Sequence, residues 1–154
     1  MQRKKKRILI DTNIFSNAYG HTNPRSKSGS QEAIHNAKNK DVLIYPTPIS
    51  RELLNTHDKK LRKKFFRVDR GMRKKGRYVK VADDLPDGNY GFDQKDDDRY
   101  VYHAAIKTDT DMIVTDDKDF RKRINEKKSK IRSLSSSAYN ALFKRKKNYK
   151  RRKG

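Results

Sequence analysis

Residues 8–13 read Ile8-Leu9-Ile10-Asp11-Thr12-Asn13, three apolar side chains in a row followed by an acid and two small polar residues. So short an apolar run, closed by turn-forming residues, predicts a strand covered on both faces, because a half-exposed strand would alternate apolar with polar. The same reading extends to residues 42–45, 78–81 and 112–114, and Ile131 seeds a last short strand. Helical spacing lies between these runs. A short helix is expected to follow Asn13 as far as Tyr19, and residues 20–30, rich in Gly, Ser and Asn, are expected to form a loop. A second helix is expected from Ser30 to Lys40, with Ala33, Ile34 and Ala37 turned inward. Thr47-Pro48 reads as an N-cap and first-turn proline for a helix carrying Ile49, Glu52 and Leu53. Further helices are expected over 58–75, with Leu61, Phe65, Phe66 and Val68 as its apolar minority, and over 98–108, 118–127 and 136–144. Strands alternating with helices predict an α/β fold, three layers (α/β/α) around a central parallel sheet.

The chain has 154 residues, enough for one domain with one core. Only 32% of it is apolar, but those residues cluster in the runs named above, so the excess polarity belongs to the surface and the ends. Residues 1–7 read as a basic arm, 8–143 as the folded domain, and 144–154 as a basic tail whose self-repulsion predicts disorder until nucleic acid binds. Forty-one Lys and Arg face nineteen Asp and Glu, a net charge of +22. Such a surplus is relieved by a polyanion, and counterion release makes nucleic acid the expected partner. Within the basic helix, Arg67, Arg70, Arg73 and Lys74 are the candidates for gripping an RNA backbone. There is no cysteine, which excludes disulfides, thiolate zinc sites and cysteine nucleophiles. No apolar stretch approaches the ~20 residues that span a bilayer, and the first is too short for a signal-peptide core. The expectation is an intracellular, cytoplasmic protein with no membrane partner.

Sites in parallel sheets form outside the carboxyl ends of the strands. Asp11 follows the first strand directly, and Asp116 and Asp117 follow the strand at 112–114. Glu52 and Asp98 fall in first turns of helices that enter from the same edge. Taken singly, each has a plainer reading: Asp11 and Asp98 as helix caps, Glu52 as a solvated partner of a neighbouring arginine. Together, four acids from distant parts of the chain are expected in one small volume. Like charges so placed raise one another's pKa, and a hard divalent cation, Mg²⁺ or Mn²⁺, resolves the conflict.

These residues resemble the motifs of PIN-domain ribonucleases, VapC-like toxins among them. Ile8 to Asn13 is similar to their opening strand, acid and polar pair. Ile49-Ser50-Arg51-Glu52-Leu53-Leu54 is similar to the second motif, Asp98-Arg99-Tyr100-Val101-Tyr102-His103-Ala104-Ala105 to the third, and Ile113-Val114-Thr115-Asp116-Asp117-Lys118-Asp119-Phe120 to the fourth. Four motifs in order span residues 8 to 120. The resemblance implies a metal-dependent endoribonuclease in which Asp11, Glu52, Asp98 and Asp117 hold Mg²⁺ or Mn²⁺ and water attacks to leave a 5′-phosphate and a 3′-hydroxyl. It further implies that Asn13 and Thr115 orient the ligands, that Asp119 serves a second ion or the water, and that Asp116 occupies a variable slot. Asp96 and Asp97 leave the register of the third acid open. The implied roles are the toxin of a toxin–antitoxin pair, with an acidic antitoxin and a homodimer as partners, or processing of rRNA or tRNA. The rival is a catalytically inactive, basic RNA-binding protein of the same fold. His103 and the Phe65-Phe66 pair are expected to pack rather than react.

Overall fold

The computed structural model describes residues 3–20 and 23–153, with side chains described as far as residue 144. Five parallel strands form one sheet in the order β3-β2-β1-β4-β5: β1 (Arg7–Ile10), β2 (Val42–Pro46), β3 (Tyr78–Val79), β4 (Met112–Val114) and β5 (Arg132–Leu134). The helices are α1 (Thr12–Tyr19), α2 (Pro24–Asn39), α3 (Thr47–Leu54), α4 (Lys59–Lys74), α5 (Asp98–Lys107), α6 (Lys118–Glu126) and α7 (Ser136–Lys153). Right-handed crossovers place α1 to α4 on one face of the sheet and α5 and α6 on the other, which makes the three-layer α/β/α sandwich that the strand–helix alternation predicts.

β1 is the centre of the molecule. Leu9 pairs with Ile44 of β2 on one side and with Ile113 of β4 on the other. Ile8, Leu9 and Ile10 have no exposed surface, as a central parallel strand covered on both faces requires. Phe15 and Tyr45 meet edge-on at 6.0 Å on the first face, while Phe92, Tyr102 and Phe120 build the other. α7 closes against α2: Asn36 Nδ2 donates to Asn140 Oδ1 at 3.0 Å, and the buried Tyr139 hydroxyl donates to Asp41 at 2.7 Å. Beneath α3 a buried carboxylate, Asp69 of α4, accepts from Tyr45 (2.7 Å), Ser50 (2.6 Å) and Arg73 (2.9 Å), which locks α3 and α4 to β2.

Three expectations need correction. Residues 24–30 are not a loop but the first two turns of α2, because Asn23 caps the helix through Arg25 N–H and Pro24 sits in its first turn. Tertiary bonds from Gln31 to Ala18 O (3.0 Å) and from Asn140 to Gly29 O (2.9 Å) hold a segment whose Ser and Gly content hides its helicity. Thr47 is not the cap of α3, which is Pro46; its hydroxyl instead accepts Val81 N–H at 2.8 Å, taking that group from the ladder and ending β3 at Val79. Phe65 is fully buried but Phe66 is 48% exposed, since adjacent helical residues cannot face one core. Gly20 stops α1 where any Cβ would lie 2.5 Å from Ser16 O.

α7 begins at Ser136 as expected but does not end at 144: it runs on to Lys153, through the stretch read from the sequence as a disordered tail. Of the basic ends read from the sequence, Met1, Gln2, Gly154 and the side chains of 145–153 lie outside the described residues. Among the described residues, no helix is long and apolar enough to cross a membrane.

Candidate active site

The chain leaves β1 toward β2 on one side and reaches β4 on the other, so the crevice outside the carboxyl ends of β1 and β4 is the topological switch point. Asp11 stands there as the N-cap of α1. Its Oδ1 accepts Thr12 N–H at 2.8 Å, and its Oδ2 accepts the Thr115 hydroxyl at 2.7 Å and Asn13 Nδ2 at 3.3 Å. Asn13 also donates to Thr115 Oγ1 at 3.0 Å and accepts Asp116 N–H at 3.3 Å. Asn13 and Thr115 therefore tie the end of β1 to the end of β4 and fix Asp11 between them.

Asp117 caps α6 by accepting Phe120 N–H at 3.1 Å, and its own N–H donates to Thr115 Oγ1 at 3.2 Å. Glu52, on α3, accepts the Thr12 hydroxyl through Oε2. The neighbouring Arg51 is not its partner: that guanidinium forms a two-pronged pair with Asp83 at 2.8 and 2.9 Å. Asp98 opens α5 and lies 3.5 Å from Arg123 Nη2, while Nη1 of the same guanidinium donates to Asp96.

The electrostatics show which acids share a space. Burial raises the Asp11 carboxyl, and the charges of Asp117 and Asp116 add to it against the hydrogen bonds from Thr115 and Thr12. Burial likewise raises Glu52, with Asp11 and Asp97 adding and Thr12 opposing. Asp98 is pushed up to about 7 by burial and by the charges of Asp96, Asp11 and Asp117, with Arg123 opposing. Asp11 thus feels the charge of Asp117, Asp98 that of Asp11 and Asp117, and Glu52 that of Asp11 and Asp97. Within the run 96–98, Asp98 faces Asp11 and Asp117, Asp97 faces Glu52, and Asp96 holds Arg123.

Asp119 lies in the first turn of α6 and is exposed, and its carbonyl accepts Arg123 Nε at 3.4 Å. Asp116 turns away and caps the start of α7, accepting Ser136 N–H at 2.9 Å and its hydroxyl at 3.0 Å. His103 is buried between Tyr90 (2.6 Å) and Asp84 (2.9 Å) and packs outside the acids. Of the cations expected on RNA, Arg67, Arg70 and Lys74 are exposed, but Arg73 is bound to Asp69 and stacks 3.8 Å over Tyr78.

Beside Glu52 opens a cavity of about 340 Å³ lined by Arg51, Glu52, Asn55, Asp97 and Tyr100. The Tyr100 ring has Arg99 4.7 Å and Arg51 5.9 Å from its centroid. Neither this cavity nor the Thr12–Glu52 link was foreseen from the sequence; a Thr at the start of one helix and a Glu on another carry no local signal of contact.

The donor set is all oxygen, and Asp11, Glu52 and Asp98 are raised first by burial and then by neighbouring carboxylates; all-oxygen donors are the kind that suit Mg²⁺ or Mn²⁺. Among the described residues, however, no group of three or more His, Asp or Glu side chains is arranged to hold a metal ion as they stand. Hydrogen bonds hold Glu52 to Thr12 and Asp117 to the start of α6, and an ion pair draws Asp98 toward Arg123. No protein-family model, characterised protein or solved structure matches this chain.

Proposed function

We propose that this protein is a PIN-type, divalent-metal-dependent endoribonuclease whose site is Asp11, Glu52, Asp98 and Asp117. The observation that supports the reading is that Asp11, held by Thr115, and Glu52, held by Thr12, lie with Asp98 and Asp117 on four separate elements toward the carboxyl edge of the sheet, in a chain of net charge +22. A fold gains nothing from raising the pKa of its own acids, because each raised carboxyl costs stability near neutrality. A bound Mg²⁺ or Mn²⁺ would supply Lewis acidity toward the phosphodiester and a more acidic water. The chain's own residues have definite tasks. Thr115 and Asn13 hold Asp11 in one orientation, Thr12 holds Glu52 beside it, and Tyr100 with Arg51 offers a ring and a guanidinium to a nucleotide at the adjoining cavity. The basic surface retains the RNA backbone and the acidic crevice does the cutting.

A second reading, a basic RNA-binding protein without catalysis, is favoured by the separation of the acids. One experiment divides the two. Full-length protein and Asp11→Asn are incubated with RNA in Mn²⁺ and in chelator, and their melting is followed under both conditions. Cleavage that needs Mn²⁺ and drops at least a hundredfold in Asp11→Asn, with wild-type melting raised by Mn²⁺, supports the nuclease. RNA that stays intact under every condition, with melting indifferent to Mn²⁺, leaves the binder.

A further inference from the structure

A second cavity, of about 370 Å³, lies among α1, α2, α4 and the turn before β3, lined by Lys38, Arg67, Lys75 and Arg77 together with Tyr19 and Met72. No acid lines it. Among the described residues none of its four cations takes part in an ion pair, although Arg51, Arg73 and Arg123 elsewhere on the surface each find a carboxylate. The cations also crowd one another: Lys38 loses proton affinity through burial and through the charges of Arg77 and Lys75.

The plainer account is that these residues cap helices. α1, α2 and α4 all end here, and each carboxyl terminus carries roughly half a negative charge. Three such ends come to about −1.5, against four formal cations, so helix dipoles account for fewer than half of them. Among the described residues about 2.5 positive charges remain without a counter-charge. The Tyr19 ring and the buried Met72 provide an apolar wall beside them. Cations next to an aromatic and apolar wall match a nucleotide, with phosphate on the charges and a base against the wall.

The cavity sits at the amino edge of the sheet, opposite the acids. β1 is 4 residues long, so the sheet is ~13 Å deep at ~3.3 Å per residue. No single phosphate reaches both sites, and a ligand touching both must be a chain.

We propose that this basic cavity binds a backbone phosphate of a single-stranded RNA whose more distant nucleotides reach the acidic crevice. The choice of RNA among phosphate-bearing ligands rests on the proposed function, while the preference for phosphate rests on the cavity's own residues. Arg67 and Lys75 are both exposed, so the double substitution Arg67→Gln/Lys75→Gln removes two cations without opening the core. Lys59→Gln/Lys63→Gln removes the same charge from exposed positions of α4 that do not line the cavity.

The full chain and both variants, matched in melting temperature, are titrated with a labelled single-stranded RNA in chelator over a salt series. Inorganic phosphate and adenosine monophosphate are tested in parallel. The cavity variant is expected to lose at least fivefold in affinity. Its log–log salt slope should flatten by about 0.7 for each phosphate contact removed, and the control should change by less than half as much. Equal losses in the two variants would overturn the proposal, since bulk charge would then explain both. So would saturable binding of phosphate or the mononucleotide at the cavity with RNA affinity unaffected. Because the assay reads binding without metal, the outcomes separate. A wild-type chain that binds no RNA fails the proposed function as well, whereas a cavity variant that binds like wild type fails the cavity alone.

Discussion

Replacing Asp98 by asparagine should make the metal-free protein more stable at neutral pH, an unusual result for a substitution in a polar crevice. The isosteric amide keeps the shape and removes one charge from a cluster that repels it. In the folded protein Asp98 titrates near 7 rather than 3.8. At ~1.4 kcal/mol for each tenfold change in proton affinity, the ceiling on the gain is ~4 kcal/mol. A quarter of the side chain faces water and Arg123 lies 3.5 Å away, so solvent and the guanidinium screen part of this and the expected gain is about 1–3 kcal/mol. For a domain of this size that corresponds to a rise of roughly 2–10 °C in melting temperature. The pH dependence follows from the direction of the displacement. Between pH 3.8 and about 7 the folded chain holds a proton that the unfolded chain has released, so wild-type stability falls as pH rises through that window and the penalty is complete above it. The gap between Asp98→Asn and wild type should therefore be about a quarter of its full size at pH 4.5 and complete by pH 8. Urea unfolding in chelator at pH 4.5, 6 and 8 measures it. Adding Mn²⁺ should then reverse the order, because only the wild-type carboxylate gains a partner. An Asp98→Asn variant no more stable than wild type at pH 8, or a gap independent of pH, would refute the idea that burial and neighbouring carboxylates penalise the Asp98 charge.

Three other substitutions probe different parts of the same architecture. Arg123→Gln removes the one guanidinium that touches Asp96 and Asp98; a partly exposed pair of this kind is worth ~1 kcal/mol, so calorimetric Mn²⁺ binding should tighten about fivefold, and weaker binding would show that Arg123 supports the ion instead of competing with it. Thr115→Val removes the hydroxyl that donates to Asp11 and accepts from Asn13 and Asp117 N–H. Groups that orient metal ligands are worth about 10–100-fold in activity, so RNA cleavage should fall by that factor while RNA affinity stays put, and unchanged cleavage would leave Thr115 a structural residue only. Tyr45→Phe deletes one of three donors to the buried Asp69; urea unfolding should show a loss of about 1–2 kcal/mol with cleavage unaffected, and a loss below about 0.5 kcal/mol would mean Ser50 and Arg73 suffice.

How far the sequence could be read depended on how local each signal was. The strands announced themselves because Ile8 to Ile10 and Met112 to Val114 are covered on both faces, and a covered strand leaves an unbroken apolar run. Asp11 and Asp117 could be placed at one edge because each directly follows such a run in a parallel sheet, and both also serve as helix caps. Capping and site chemistry are thus not rival readings of these two acids. The first turns of α2 stayed hidden because Ser26, Ser28, Gly29 and Ser30 lack helix propensity, and the bonds that hold them come from Ala18 and Asn140, far away in sequence. The basic cavity was illegible for the same reason. Arg67 could be picked out on α4, but Lys38 and Arg77 join it only when α2 and the start of β3 pack alongside. The fate of Arg73 depended on Asp69 being buried, which a helix read alone does not reveal.

The distribution of counter-charges bears most directly on the crevice. In a chain with 41 Lys and Arg, four carboxylates at one edge would ordinarily be neutralised by whichever cations stand nearby. Here the nearby guanidiniums are held elsewhere. Arg51, adjacent in sequence to Glu52, gives both terminal nitrogens to Asp83. Arg99, adjacent to Asp98, is bonded to Asn89 and to the Tyr100 hydroxyl. Arg121, one turn from Asp117, donates to Thr115 O at 2.9 Å. Among the described residues Arg123 alone pairs with Asp98, and it divides itself between Asp96, Asp98 and the Asp119 carbonyl. Arg51 thus serves a carboxylate outside the crevice, and Arg99 and Arg121 serve neutral acceptors. Burial, reinforced by neighbouring carboxylates, leaves Asp11, Glu52 and Asp98 all reluctant to ionise in a strongly positive molecule. On the proposed function, a small, hard, multiply charged cation would supply the counter-charge that the guanidiniums around the crevice give elsewhere.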